Sequence, residues 1–168
     1  MNHKRLWAPW RIAYIKKFKK EKGCLFCKAF ESGKDEKNFV VFRSKSSLAI
    51  LNIYPYNNGH IMIAPQKHVR ELGQLDSAET ADLINCLNKA KRLLEQTLKP
   101  EGYNIGINIG RVGGAGIEHH LHIHLVPRWQ GDTNFMPAIF NTKIISQSLH
   151  ELYATLKKKN DGLKRTGK

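Results

Sequence analysis

Between Glu118 and Trp129 the chain reads Glu-His-His-Leu-His-Ile-His-Leu-Val-Pro-Arg-Trp, so His120, His122 and His124 alternate with Leu121, Ile123 and Leu125. A period of two is the pattern of a β-strand with one face in a core. It predicts a strand whose apolar side is buried and whose other side presents three imidazoles in a row. Imidazole acts as nucleophile, general acid or base, or metal ligand near neutral pH. A strand that spends three alternate positions on it is building a site.

The remaining periodicities give a fold class. Phe39–Phe42, Ser47–Asn52, His60–Pro65 and Tyr103–Ile109 read as further strands. The cluster Pro55-Tyr56-Asn57-Asn58-Gly59 between two of them is turn chemistry. Asp76 followed by Glu79 resembles a capping box, and Leu83, Ile84, Leu87, Ala90, Leu94 and Leu98 follow at helical spacing up to Lys99-Pro100. A last helix is expected from about Thr142 to Lys157, on the pattern of Ile144, Ile145, Leu149, Leu152 and Leu156. Cys24–Ser32 reads as a turn or short helix closed by Gly33. Hairpins joined by single helices, with no βαβ repeat, predict an α+β domain with a mainly antiparallel sheet.

With 168 residues there is room for one domain with a proper core. The expected division is a basic, aromatic arm over residues 1–23, one domain carrying the histidine site over 24–157, and a solvated basic tail over 158–168. Pro9 argues against one continuous helix in the arm. No apolar run reaches the length of a bilayer-spanning helix, and the N-terminus lacks the apolar stretch of a secretory signal, so a cytoplasmic location is expected. The net charge of +14 implies either attraction to polyanions, nucleotides or nucleic acid among them, or simply a solvated basic surface. Three cysteines and no signal argue against a disulfide framework. Taken alone, Cys24-Leu25-Phe26-Cys27 leaves redox, metal binding and chance open.

Gly110-Arg111-Val112-Gly113-Gly114-Ala115-Gly116-Ile117 leads into the histidine strand. Its four glycines permit close backbone approach to an anion, although the Gly-Lys-[Ser/Thr] ending of a Walker loop is missing. A phosphate cradled there would lie beside the imidazoles. Histidine can attack such a phosphorus and carry it as a phosphoramidate, dividing one hard displacement into two easier ones.

His-Leu-His-Ile-His-Leu-Val followed by Pro-Arg-Trp resembles the signature of the histidine-triad superfamily of nucleotide hydrolases and transferases. Asn52 through Gly59-His60 to Ala64-Pro65 is similar to the family's Asn…Gly-His-x-hydrophobic-x-Pro stretch, and Asn108–Ile117 to its ribose- and phosphate-binding loop. Leu6-Trp7-Ala8-Pro9-Trp10-Arg11 and Trp129-x-Gly131-Asp132-Thr133-Asn134-Phe135 resemble the branch of diadenosine polyphosphate hydrolases and phosphorylases. The likeness spans nearly the whole chain except its Lys-rich ends.

The resemblance implies a histidine-triad fold, a five-stranded sheet with one long and one C-terminal helix, and a homodimer in which Ser77–Leu98 is an interface element. It makes His122 the nucleophile on the α-phosphorus. His124 would contact phosphate oxygens, His120 would hold His122 partly through its backbone carbonyl, and His60 would stand behind the triad. Asn52 would meet the ribose and Asn108 the phosphates. Gly114, Ala115, Gly116 and Ile117 would cradle phosphate, and Trp129 is placed with the substrate-binding residues. Gly116 departs from many members, which carry Ser or Thr there, so backbone N–H groups must replace the missing hydroxyl. Several relatives bind zinc through a Cys-x-x-Cys, the histidine of a Pro-x-x-His and the first triad histidine, which implies Cys24, Cys27, His68 and His120 as ligands of a structural zinc here. Four protein ligands leave no open position for water. Mg²⁺ would arrive with substrate rather than in a protein cage.

The implied activity is cleavage of dinucleoside polyphosphates through a nucleotidyl-His122 intermediate, with water or orthophosphate as second acceptor. Two other readings share these residues. One is a nucleoside phosphoramidase acting on P–N bonds. The other is a non-catalytic, zinc-stabilised nucleotide- or RNA-binding module, which suits the charge but has no recognised nucleic-acid motif behind it.

Overall fold

The computed structural model describes residues 23–133 and 144–166. The Leu6–Arg11 arm, Asn134 and Phe135 lie outside these residues. A short helix, α1 (Leu25–Ser32), ends at Gly33, whose left-handed backbone (φ 60°) stops the helix, and a single turn, α2 (Asp35–Asn38), follows. Then come β1 (Val40–Arg43), β2 (Ser47–Leu51) and β3 (Ile61–Pro65), the long helix α3 (Ser77–Leu98), β4 (Gly102–Ile107), β5 (Ile123–Arg128) and α4 (Leu149–Thr166). The five strands form one sheet in the order β1-β2-β3-β5-β4, antiparallel throughout.

The two sheet faces divide the work. Ala49, Leu51, Ile61, Ile63, Ile123 and Leu125 point to one side, where they meet Leu83, Cys86, Leu87, Ala90, Leu93 and Leu94 of α3 and Leu152, Tyr153 and Leu156 of α4. A bulge between Val40 and Phe42 in β1 lets consecutive residues Val41 and Phe42 both enter this core. Each large apolar side chain buried here contributes about 1.5–3 kcal/mol. On the other side Val40, Leu48, Ile50, Met62 and Ala64 pack under α1 through Phe26 and Ala29. The cross-strand partners Met62, His124 and Gly106 continue this second face.

Helix α3 starts where its cap requires. The Asp76 carboxylate accepts from the Glu79 N–H (2.8 Å) while the Glu79 carboxylate accepts from the Asp76 N–H (2.9 Å), a reciprocal pair that satisfies two otherwise orphaned donors. The last helix differs from expectation. It begins seven residues later than Thr142 and runs past Lys157 through Thr166, so residues 158–166 continue a helix rather than fray. Ser148 and Glu151 explain the start: the Glu151 N–H donates to Ser148 Oγ and the Ser148 N–H to Glu151 Oε2. Ile144 and Ile145 extend the apolar period upstream of this cap without belonging to the helix. Among the described residues no helix is long and apolar enough to cross a membrane.

Candidate active site

Only His124 lies within β5 proper; His120 and His122 occupy the extended segment just before it. The alternation nonetheless holds across all six positions. Leu121, Ile123 and Leu125 belong to the α3-side core, and the three imidazoles stand on the α1 side. A hydrogen bond from the Leu121 N–H to the Val69 carbonyl (2.6 Å) ties the segment to the loop after β3.

Each imidazole has its protonation pattern set by a fixed neighbour. His122 Nδ1 is 2.8 Å from the carbonyl of His120, which only accepts, so the proton sits on Nδ1. Nε2 then carries the lone pair, and it has no hydrogen-bond partner among the described residues. His120 Nε2 donates in the same way to the Pro65 carbonyl (2.8 Å), leaving its Nδ1 as the electron-pair donor. His60 Nδ1 accepts from the backbone N–H of Tyr56 (3.1 Å) and lies 3.3 Å from Asn52 Nδ2, so His60 donates through Nε2 to His124 Nδ1 (2.9 Å). That leaves the proton of a neutral His124 on Nε2, which lies 3.5 Å from Asn108 Nδ2.

Burial favours the neutral form of His60, His120 and His122. His60 is 1 % exposed, and desolvation, reinforced by neighbouring His124 and His122, brings it down to about 3. Desolvation also lowers His120 to about 4 against the opposing bond to Pro65, and it lowers His122. A neutral imidazole with a fixed tautomer is what nucleophilic attack requires.

Asn52 is buried and spends its side chain on the turn before His60: Oδ1 accepts from the Tyr54 N–H (2.9 Å) while Nδ2 faces His60. In the glycine loop, the N–H groups of Gly114 and Ala115 bond inside the loop, to Arg111 O (3.1 Å) and Gly110 O (3.2 Å). Asn108 Nδ2 donates to the Gly114 carbonyl at 3.5 Å, joining the loop to the histidine side. Gly113 is required there, since a Cβ would lie 2.3 Å from the Ile109 carbonyl oxygen. Gly116 is exposed and Ile117 half-buried against the α1-side cluster. Trp129 lies beyond the far end of β5, roughly 16 Å along the strand from His124. Its N–H donates to Asp132, which also accepts from Arg128 and Asn57.

Cys24, Cys27, His68 and His120 converge although 96 residues separate the first from the last. Their four donor atoms lie within 4.8 Å of one another. Cys24 Sγ is 3.2 Å and Cys27 Sγ 3.6 Å from His120 Nδ1, while His68 Nδ1 is 3.1 Å from Cys27 Sγ and 3.2 Å from His120 Nδ1. The pairing of His120 Nε2 with Pro65 turns its Nδ1 lone pair into the group, the outer-shell arrangement typical of metal-bound histidine.

Two contributors escaped the sequence reading. Tyr56, within the turn cluster, places its ring 4.7 Å from His60 and 5.8 Å from His124. Phe26, a spacer between cysteines in the sequence, packs against two triad histidines. The first had a signal in its position four residues before His60; the second had none.

The model of the HIT domain matches residues 34–131. The chain is 38% identical over 154 residues to AP-4-A phosphorylase of Mycobacterium tuberculosis, covering 88% of this chain and 79% of the relative. Among solved structures it is similar to a hypothetical histidine triad nucleotide-binding protein of Sulfolobus tokodaii (26% identity, TM-score 0.68, 86% of this chain and 96% of that one). It is also similar to a Zn-bound histidine triad family protein of Mycobacterium smegmatis (25% identity, TM-score 0.66, 85% and 96%).

Proposed function

The chain belongs to the HIT domain family, and we propose that it cleaves dinucleoside polyphosphates of the diadenosine tetraphosphate kind at the α-phosphorus through a nucleotidyl-His122 intermediate. One observation carries this reading: the His120 carbonyl holds the proton of His122 on Nδ1, so Nε2 presents a lone pair at neutral pH. In the first step Nε2 bonds to the α-phosphorus and the bond from that phosphorus to the departing polyphosphate oxygen breaks. His124, with its proton on Nε2, donates to a phosphate oxygen and stabilises the charge that develops there. In the second step the acceptor oxygen bonds to phosphorus, the P–N bond breaks, and His122 is restored.

Orthophosphate is the acceptor this reading favours, because the mycobacterial relative carries the name of a phosphorylase. Diadenosine tetraphosphate would then give ADP and ATP; with water it would give AMP and ATP. Gly116 and Ile117 are the loop positions assigned to phosphate, since the Gly114 and Ala115 N–H groups already have partners. Asn52 is assigned to the ribose and Asn108 to the phosphates, and Trp129 to the distal part of the substrate.

The Cys₂His₂ group is consistent with zinc in donor type and spacing, and a zinc-bound relative of similar fold supports that assignment. Zinc there would pin α1 to the segment carrying His120; with four protein ligands its role is structural. The reading includes a homodimer, supported by exposed Ile84 on α3 and Ile105 on the edge strand β4.

The test is mass spectrometry of protein quenched during turnover of diadenosine tetraphosphate, with and without orthophosphate. A histidine carrying adenylate, mapped to His122, and ADP formed only with orthophosphate are expected. Turnover with no adduct would exclude the covalent route. A nucleoside phosphoramidate turned over in place of the dinucleotide would move the assignment to P–N bonds.

A further inference from the structure

Phe26 stands between the two thiols in sequence and between two triad rings in space. Cys24 caps α1, Cys27 is its third residue, and Phe26 is fully buried against the sheet face that bears the imidazoles. Its ring centroid lies 5.1 Å from that of His120 and 5.1 Å from that of His122, tilted by 51° and 41°. The His124 ring is 4.9 Å from His122 at 71°. Beyond these contacts, the His122 ring is held among the described residues by one hydrogen bond, from Nδ1 to the His120 carbonyl. Rotation about the Cβ–Cγ bond would break that hydrogen bond and turn Nε2 away, and a single hydrogen bond opposes the turn only modestly. Packing adds the firmer constraint, because a close-packed aromatic ring leaves no volume for the turn.

We propose that Phe26 is a positioning residue for the nucleophile: its ring, anchored by the Cys24–Cys27 turn, packs against His120 and His122 and holds His122 with Nδ1 on the His120 carbonyl and Nε2 available for attack. The inference rests on the reading of His122 as nucleophile. It gives α1 a second task besides presenting thiols, because the helix that brings Cys24 and Cys27 to His120 also delivers the wall behind His122. Sequence spacing explains why one short helix does both: Phe26 falls between the cysteines, and all three reach the same end of the histidine segment.

The test compares Phe26→Leu, which removes the ring but keeps an apolar side chain, with Leu48→Ala. Leu48 is fully buried in the same cluster but lies on β2, with β3 between it and β5, so its truncation opens a void one strand removed from the histidine segment. Three quantities are read on zinc-loaded protein: metal content, kcat and KM for diadenosine tetraphosphate, and the ring tautomer of His122 from ¹H–¹⁵N correlations. For Phe26→Leu, metal content is expected to stay native, kcat to fall about a hundredfold with KM within about threefold, and His122 to leave its single Nδ1–H form. Leu48→Ala should change kcat by no more than about threefold and keep the tautomer. If Phe26→Leu does not fold, Phe26→Met, which fills the gap flexibly, takes its place. A native tautomer in the Phe26 variant overturns the proposal, as does an equal kcat loss in Leu48→Ala. Should the wild-type protein not turn over the dinucleotide at all, the proposed activity fails, while the tautomer measurement still decides the role of Phe26.

Discussion

The side chain of His122 is bonded to the main chain of His120: Nδ1 to carbonyl oxygen, 2.8 Å. Two alternate residues of one extended segment thus share the work, the first fixing the tautomer that the second needs. The side chain of His120 faces a different task, with Nε2 on Pro65 and Nδ1 on the cysteine cluster. One residue joins the metal-type site to the nucleophile, so the two sites are expected to respond differently to substitution.

Replacing His122 by Asn keeps a hydrogen-bonding side chain but removes the lone pair aimed at phosphorus. Turnover of diadenosine tetraphosphate should fall on the order of 10⁴-fold or more. Nucleotide affinity, measured by calorimetry with AMP, should change less than tenfold, or by under about 1.4 kcal/mol. Loss of binding in step with turnover would contradict a purely chemical role.

The Cys24→Ser substitution replaces a thiolate donor with a weak hydroxyl. Elemental analysis should find zinc well below the wild-type level, and the melting temperature should drop by about 10 °C. The residual kcat at a temperature where the variant is folded should fall less than tenfold. Full zinc retention would remove Cys24 from the ligand set.

Acid stability follows from His60. Its folded-state pKa of about 3 lies below the ordinary value of 6.5, because burial disfavours the imidazolium. Between those values the unfolded chain binds the proton and the folded one does not. The His60 contribution to stability is therefore complete above about pH 6.5 and is lost as pH falls toward about 3. In His60→Gln, the melting temperature should be lower at pH 7, by loss of packing and hydrogen bonds. It should also fall less steeply than wild type from pH 6.5 to 4. Parallel curves would mean that another group controls the acid limb.

Asp132 organises the turn after β5. Its carboxylate accepts from Arg128, from Asn57 Nδ2 (2.8 Å) and from the Trp129 N–H, and the Arg128 guanidinium holds its pKa far below the carboxylate range. Asn57 in turn accepts the His60 N–H through its carbonyl (3.2 Å). Asp132→Ala should cost about 2 kcal/mol in denaturant unfolding, chiefly by leaving one of the two Asn57 amide N–H groups without its acceptor, the other keeping the Pro127 carbonyl (3.0 Å). The kcat should stay within about threefold. A loss below 0.5 kcal/mol, about the size of an ordinary surface substitution, would show that solvent replaces the carboxylate at no cost.

What could be read from the chain was local. The two-residue alternation of His120–Leu125 assigned imidazoles and aliphatics to opposite faces, because side-chain direction in extended backbone depends only on position parity. The Asp76–Glu79 box located the start of α3 because a cap and its partner lie within one turn. Ser148 and Glu151 carried the same signal for α4, but the apolar pair Ile144-Ile145 continued the helical period upstream and masked it. The cysteine cluster was legible only through family likeness, since spacing along the chain does not bring Cys24 to His120.

Tertiary packing decided the rest. It set the Pro65 carbonyl against His120, 55 residues away in sequence, and the His60 ring against His124, 64 residues away. It also placed Phe26 behind the nucleophile. Periodicity fixes which face a residue takes, because backbone geometry repeats along the chain. Which partner stands opposite depends on how separate elements settle against one another, and no local pattern encodes that distance.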